Sequence, residues 1–319
     1  MGFEEMKRLV RELPEVASWP QMLAMLERLG HRESISVWEY PVAACRAVGG
    51  RAEAALPGAA AVLSSVVSIH LVDDMLDDDP AGDFHLLGAG PVANLALAFQ
   101  AAGHRLLEQS AVEPAVRCLL HARFAEMSLG TAFGQGLDAR ELKGEEEYWR
   151  GVEAKTPPLF GAGLYLGALL GGAPVEVARD LEQVGRHLGR FIQVSDDLSD
   201  ALQTPARADW NRRSNNLPIL YAMTADHEDR EEFLRLAPCA GDPEALAAAQ
   251  RILLKSGAVS FCAFKMIEFS QEIRERLVRI PLAEPEHLLL LLETNMRPLH
   301  KILESVGVED PKALMVGSP

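Results

Sequence analysis

Apolar residues recur along this chain at intervals of three and four, the spacing that lines one face of an α-helix. Between residues 3 and 29 the repeat (Leu9, Val10, Leu13, then Met22, Leu23, Met25, Leu26) is broken at Pro14 and Pro20, which predicts short helices. A further helix is predicted over 37–48, ending at Gly49-Gly50. The longest apolar run starts at Ala59 and predicts one helix to Asp79, stopped by Pro80. Residues 80–91 read as a loop, and 92–108 and 114–133 as helices with Gly134-Gln135-Gly136-Leu137-Asp138 at the end of the second. A loop from Lys143 enters a helix near Tyr148 that Ala154-Lys155-Thr156-Pro157-Pro158 interrupts before a small-residue helix over 159–170. Residues 176–202 form a second long helix, a polar loop spans 205–216, and 217–222 is helical again. The last third predicts three helices, over 243–256, 258–279 and 284–306.

Composition agrees with this pattern. The 319 residues are 48% hydrophobic but only 6% aromatic, with abundant Ala and Leu and few alternating β-branched runs, which reads as all-α. Without a tandem repeat or low-complexity linker, residues 1–319 read as a single domain. The net charge of −15 speaks against nucleic acid and anionic membrane as partners, since phosphate backbones need clustered Lys and Arg. Cys45, Cys118, Cys239 and Cys262 have no metal-ligand spacing and read as reduced, mostly buried thiols. The opening MGFEEMKRLV lacks a signal-peptide pattern, and no run of about 18 charge-free apolar residues marks a membrane span. A cytoplasmic protein is expected.

Charge patterning changes the picture at one place. Asp73-Asp74-Met75-Leu76-Asp77-Asp78-Asp79 sets five carboxylates in seven residues at the end of the apolar helix. At helical spacing Asp73 and Asp77 stack on one face, with Asp74 and Asp78 beside them. Acidic groups there oppose the helix dipole and repel each other, at roughly 0.3–1 kcal/mol per contact. A cation should sit among them, and oxygen-only ligands suit a hard ion such as Mg²⁺.

A second cluster, Asp196-Asp197-Leu198-Ser199-Asp200, lies about 120 residues on, near the end of the other long helix. With two such DDxxD clusters the sequence resembles the trans-isoprenyl diphosphate synthase (polyprenyl synthetase) family. The resemblance implies an all-α isoprenoid synthase-type bundle around a central cavity. It also implies two motifs facing each other across that cavity and holding three Mg²⁺ ions with diphosphate bound. Asp73, Asp77 and Asp196 are then the first metal ligands, with Asp74, Asp197 and Asp200 after them. Gly134, Gln135 and Asp138 match a further family element, Lys155 and Thr156 the pair that meets the allylic diphosphate, Gln193 the glutamine before the second motif, and Asp209 a later acidic position. Asp73, Asp77, Lys155 and Asp196 are the expected catalytic set. The implied activity is ionisation of an allylic prenyl diphosphate and transfer of the prenyl group, with isopentenyl diphosphate as the default acceptor and a homodimer as the assembly.

Departures from the family pattern fall on the acceptor side. The basic stretch that binds isopentenyl diphosphate aligns with Ser36-Val37-Trp38-Glu39-Tyr40, the histidine before the first motif with Val66, and the arginine pair after it with Pro80-Ala81-Gly82-Asp83-Phe84-His85. Two later lysines align with Thr204 and Ser214, next to Arg212 and Arg213; His31, Arg32 and Arg46 are candidate substitutes. A diphosphate without cations would be poorly met in an acidic protein. The alternatives are a terpene cyclase-like synthase, a prenyltransferase with another acceptor, or a non-catalytic regulatory subunit, for which degraded aspartates would speak. Ser65, Ser68 and Ile69, one and two turns before Asp73, are expected to line the pocket for the prenyl tail, with small-residue helix packing as the competing explanation.

Overall fold

The computed structural model describes residues 3–29 and 36–305. Among them are seventeen α-helices and no strand, so the all-α expectation is met. In chain order they are α1 (Phe3–Arg11), α2 (Pro14–Ala17), α3 (Pro20–Arg28), α4 (Glu39–Ala47), α5 (Leu56–Leu76), α6 (Phe84–Leu87), α7 (Ala89–Glu108), α8 (Pro114–Asp138) and α9 (Gly144–Lys155). There follow α10 (Pro157–Leu170), α11 (Val175–Leu202), α12 (Leu217–Thr224), α13 (Arg230–Leu236), α14 (Pro243–Lys255), α15 (Ala258–Arg279), α16 (Glu286–Asn295) and α17 (Arg297–Ser305). Two compact units interleave along the sequence. One comprises Met1–Ala132, Pro158–Arg186 and Leu277–Leu292, the other Phe133–Pro157, His187–Arg276 and Glu293–Pro319.

The first unit is built around α5. A helix apolar on every side has to be enclosed, and Gly58 through Ser68 of α5 are all buried. By length and composition residues 52–76 would pass for a membrane span, against the expectation that no such run exists, but 72% of the window is buried in the protein. Its principal neighbour is α7, which buries Leu95, Phe99 and Leu106. On the other side of the unit the backbone N–H groups of Ala283 and Glu284 both donate to the Ala47 carbonyl at the end of α4, at 2.8 and 3.0 Å.

The second unit has its own core, in which Trp210, Ile219, Phe233 and Leu253 are buried together. Its helices begin where side chains satisfy the first free N–H groups. Asp242 accepts from Ala245 N at 2.9 Å to start α14, and Asn216 from Ile219 N at 3.4 Å to start α12. Both caps are followed by a proline in the first turn.

Several boundaries differ from expectation. Helix α5 stops at Leu76, short of Asp79, because Asp78 adopts a left-handed φ of +52°. Asp79 N then donates to Asp74 O at 2.9 Å, which closes the helix end before Pro80 is reached. Asp78 is therefore turned out of the helical row in which sequence spacing placed it beside Asp74. The expected loop over 80–91 contains the single turn α6, ended by Gly88 at φ +86°, and α7 starts at Ala89. Helix α8 continues through Asp138, α9 starts at Gly144, and α13 was not expected. The last predicted helix divides into α16 and α17 where Pro298 has no N–H to carry the ladder across Met296; Val306 lies outside the described residues.

Candidate active site

Each unit carries one of the two aspartate motifs. In the first unit Asp73 and Asp74 lie in the last turn of α5 and Asp77 is its C-cap; all three are half-buried, whereas Asp78 is exposed. Asp79 faces the following turn, accepting from Ala81 N at 2.7 Å through its carboxylate, while its carbonyl lies 3.0 Å from His85 Nε2. Asp74 lines a cavity of about 280 Å³ together with Arg28 and His70. The Arg28 guanidinium pairs with Asp83 at 2.9 Å.

One turn and two turns earlier, the expected tail-pocket residues face α7. Ser65 is fully buried with its hydroxyl 3.4 Å from Gln100 Oε1, and Ser68 Oγ donates to the Ala96 carbonyl at 2.8 Å. Gln100 in turn bonds Ser128 Oγ, which donates to Phe124 O at 2.7 Å. Ile69 is half-buried. Ser65 and Ser68 thereby tie α5 to α7.

In the second unit the motif stays within regular helix, since α11 continues to Leu202. Gly134 of α8 and Gly189 of α11 seat the junction between α9 and α10. A Cβ on Gly134 would lie 2.4 Å from Lys155 N, and one on Gly189 2.5 Å from Pro157 Cα, so neither position admits a side chain. At this junction Lys155 Nζ donates to Asp138 Oδ2 at 2.5 Å, and Thr156 Oγ1 to Gln193 Oε1 at 2.5 Å. Gln135 is buried with its side-chain carbonyl unpartnered, and Gln193 Nε2 reaches Asp197 Oδ1 at 2.8 Å.

Asp197 is the centre of this arrangement. It is 3% exposed, and its Oδ2 accepts from Tyr148 OH at 2.7 Å and from Leu217 N at 2.9 Å. With three protein donors on two oxygens, it is a holding group between α9, α11 and the start of α12. Service as a metal ligand, its expected role, would have to be combined with these three hydrogen bonds. Asn216 Nδ2 bridges the Asp197 carbonyl and Asp209 Oδ2, both at 2.7 Å. Asn215 Nδ2 donates to Asp138 Oδ1 at 3.1 Å and to the carbonyls of Asp138 and Arg140. Arg212 and Arg213, adjacent to the position of a lost lysine, reach the backbone carbonyls of Asp138 and Trp210. His31 and Arg32 lie outside the described residues. Arg46 is exposed near the end of α4.

The electrostatics show what the site lacks. Burial and the neighbouring Asp200 push Asp196 up to about 7, although its side chain keeps an exposed surface. Burial and Asp209 push Asp197 up to about 7, and burial pushes Asp209 up to about 6 and raises Asp200. Burial is the first cause in each case, and Lys155 pulls Asp196, Asp200 and Asp209 back towards ionisation, as Arg207 does for Asp200. Among the described residues no group of three or more His, Cys, Asp or Glu forms a metal cage. Mg²⁺ does not need one: it keeps several waters and is held by one or two carboxylates plus substrate phosphate oxygens. The oxygen-only donors Asp196 and Asp200 fit that ion. Tyr148, Asn215 and Asn216 were missed by sequence reasoning; the pairing of Asn216 with Pro218 was a legible helix-cap signal, whereas nothing marked Tyr148.

Comparison with known proteins gives a consistent result. The sequence profile of the polyprenyl synthetase family matches residues 87–253, beginning after the first motif and including the second. A geranylgeranyl diphosphate synthase of Methanosarcina mazei is 32% identical over 250 residues, covering 74% of this chain and 76% of its own length. A short chain isoprenyl diphosphate synthase of Methanothermobacter thermautotrophicus is 29% identical over 255 residues, covering 72% and 75%. The crystal structure of a polyprenyl synthase from Caulobacter crescentus, complexed with calcium and isoprenyl diphosphate, superposes with a TM-score of 0.79 at 19% identity, over 93% of this chain and 92% of that one.

Proposed function

The chain belongs to the polyprenyl synthetase family, and from that premise we propose that it ionises an allylic prenyl diphosphate with Mg²⁺ and transfers the prenyl group. The family carries out prenyl transfer on allylic diphosphates with divalent metal, typically with isopentenyl diphosphate as acceptor. The observation that carries the reading for this chain is the grouping of the carboxylates Asp196, Asp200 and Asp209 within electrostatic reach of Lys155, whose Nζ donates to Asp138 Oδ2 at 2.5 Å. Such a site favours a ligand that brings metal with it.

In this reading Asp73 and Asp77 of the first unit and Asp196 and Asp200 of the second are the residues that would hold Mg²⁺, which when bound would supply positive charge to a departing diphosphate. Lys155 exchanges Asp138 for a diphosphate oxygen, and the Thr156 hydroxyl donates to another. Gln193 and Tyr148 act through Asp197, fixing the rotation of the last turns of α11 so that Asp196 and Asp200 stay aimed. Apolar helix faces exclude water from the cation formed on ionisation.

The default acceptor meets an observation against it. Arg28, the one Lys or Arg lining the cavity at the first motif among the described residues, is already paired with Asp83. This favours transfer to a different acceptor as the second reading. Leu97 on α7 and Leu129 on α8 are 70% and 74% exposed, which supports the proposal of a homodimer that would cover such apolar side chains. The four cysteines are free, Cys45 and Cys262 buried and Cys118 and Cys239 exposed, in keeping with a proposed cytoplasmic location.

The test is incubation with Mg²⁺ and ten-, fifteen- or twenty-carbon allylic diphosphates, with and without isopentenyl diphosphate, followed by product identification. Diphosphate release that needs Mg²⁺ and disappears in Asp73→Ala and Asp196→Ala supports the proposal. Elongated products identify the ordinary acceptor; a hydrocarbon or alcohol from the allylic substrate alone identifies cyclisation or quenching. Absence of release from all three substrates refutes the ionisation reading.

A further inference from the structure

The half-buried Asn215 side chain directs its hydrogen bonds to one short segment after α8. Its Nδ2 donates to the Asp138 carbonyl at 2.8 Å, to Asp138 Oδ1 at 3.1 Å and to the Arg140 carbonyl at 2.9 Å, and its Oδ1 accepts from Leu142 N at 2.9 Å. The opposite amide orientation would set an oxygen against three acceptors, so the network fixes which way the amide points. The second carboxylate oxygen of the same aspartate, Oδ2, accepts from Lys155 Nζ at 2.5 Å. With Asn215 on Oδ1 and Lys155 on Oδ2, the amide sets the plane in which Asp138 meets the ammonium.

The backbone around Asn215 is itself tied to α11. Residues Arg213–Asn215 form a single 3₁₀ turn, in which Asn215 N donates to Arg212 O at 2.9 Å. The next two residues are held by Asp197 of the second motif, whose carbonyl accepts from Asn216 Nδ2 at 2.7 Å and whose Oδ2 accepts from Leu217 N at 2.9 Å. A continuous link therefore runs from the second motif through Asn216 to Asn215, on to Asp138 and then to Lys155, all within the second unit. Thr156 is tied to the same helix by a separate route, its hydroxyl donating to Gln193 Oε1 at 2.5 Å. The Lys155–Thr156 pair is thus registered against α11 by two arms, one through Gln193 and one through Asn215. Lysine carries a point charge on a flexible four-carbon stem, so its ammonium sits where its partners hold it.

We propose that Asn215 is a positioning residue for diphosphate departure: through Asp138 it holds the Lys155 ammonium in register with the second motif. The inference rests on the reading of Lys155 as a group that meets the diphosphate. Asn215 acts through the Asp138 carboxylate and not on the reacting atoms. When Lys155 leaves Asp138 for a diphosphate oxygen, Asn215 stays on Oδ1 and keeps Oδ2 in place to take the ammonium back. Without the amide the carboxylate can turn about its Cβ–Cγ bond, and the ammonium follows it. A displacement of about 1 Å from the productive position costs on the order of 10²-fold in rate.

The test is a double-mutant cycle on the full chain, with Asn215→Ala, Lys155→Ala and both together, read as kcat and KM for Mg²⁺-dependent diphosphate release. Asn215→Ala should lower kcat about ten- to a hundredfold with KM little changed. In the Lys155→Ala background the same substitution should cost less than about twofold more, because its effect passes through the lysine. A loop-stapling role through Arg140 and Leu142 alone would instead slow both backgrounds equally, and that result overturns the proposal. A second readout needs neither metal nor substrate. In EDTA, the ¹H–¹⁵N resonance of the Lys155 ammonium, identified by its loss in Lys155→Ala, should be sharp in the wild type and broaden away in Asn215→Ala; an unchanged resonance also overturns the proposal. Urea midpoints check that each variant folds. Asn215→Ser, whose shorter side chain cannot reach both Asp138 and Leu142, takes the place of the alanine variant if that one does not fold. Failure of both to fold makes Asn215 a structural residue and refutes the positioning role. Wild-type release without coupling to Lys155 removes this inference alone, whereas no release from the wild type removes the ionisation reading and the positioning role with it.

Discussion

Replacing Tyr148 by Phe takes one hydroxyl from a fully enclosed site. Tyr148 is 1% exposed and its hydroxyl lies 2.7 Å from Asp197 Oδ2, leaving Gln193 Nε2 and Leu217 N as the remaining donors to that carboxyl. The cost depends on the charge of Asp197. Its carboxyl titrates near 7 in the folded chain and near the ordinary 3.8 when unfolded, so between those values the folded chain binds the extra proton. Stability from this group is present at low pH and is lost as pH rises through about 7. At about pH 5.5 the lost bond joins two neutral groups and costs about 1 kcal/mol; at about pH 8.5 it joined an ionised carboxylate, and the loss grows to about 2–3 kcal/mol. The Tyr148 bond itself holds the Asp197 value down, so the variant titrates higher and keeps losing stability above pH 7. Urea denaturation in EDTA at both pH values measures the difference. The same loss at both, or a larger loss at low pH, refutes the assignment of Tyr148 as the donor that supports ionised Asp197.

The other predictions are direct. Lys155→Ala should lower kcat/KM for diphosphate release about 10²–10³-fold, with urea stability changed by less than about 1 kcal/mol because the pair with Asp138 is partly exposed; a wild-type rate would remove Lys155 from the site. Asp78→Gly should stabilise the chain by about 1 kcal/mol, since glycine adopts the φ of +52° without the penalty of a side chain; calorimetry showing a lower Tm would contradict this. Ser68→Phe should cost about 1–3 kcal/mol by overpacking the α5–α7 contact, and an intact urea midpoint with shorter products would instead support the tail-pocket assignment. Gly134→Ala should disturb Lys155 more than it disturbs the fold, since its Cβ would meet the Lys155 backbone at 2.4 Å; unchanged kcat/KM would show that the junction yields.

The parts of this structure legible in the sequence are those decided by local chemistry. Helical spacing, the prolines that open α3 and α14 and the enclosure demanded by the apolar α5 are all readable from the residues in order. What was not legible depends on partners far along the chain. Asp197 looks like Asp196 in a motif, and only the arrival of Tyr148 and Leu217 N separates a holding carboxyl from one that stays accessible to a ligand. The end of α5 was misplaced because aspartate in a left-handed conformation leaves little trace in composition, whereas glycine at that position would have announced it. Ser65 and Ser68 are equally suited to a pocket and to a helix contact, and the contact at Ser68 becomes visible only through the Ala96 carbonyl on another helix.

The hydrogen bonds from Ala283 and Glu284 to the Ala47 carbonyl have a consequence for how the chain is made. The end of α4 leaves the ribosome early, yet the groups that satisfy its carbonyl follow on the order of 240 residues later. At about 5–20 residues per second that is a wait of roughly 10–50 s. During that interval the nascent first unit has no segment 277–292 to complete it. Ribosome-bound chains stopped before residue 277 should therefore stay open to proteases and to chaperones that bind apolar surface, and lose that sensitivity only when the late segment emerges.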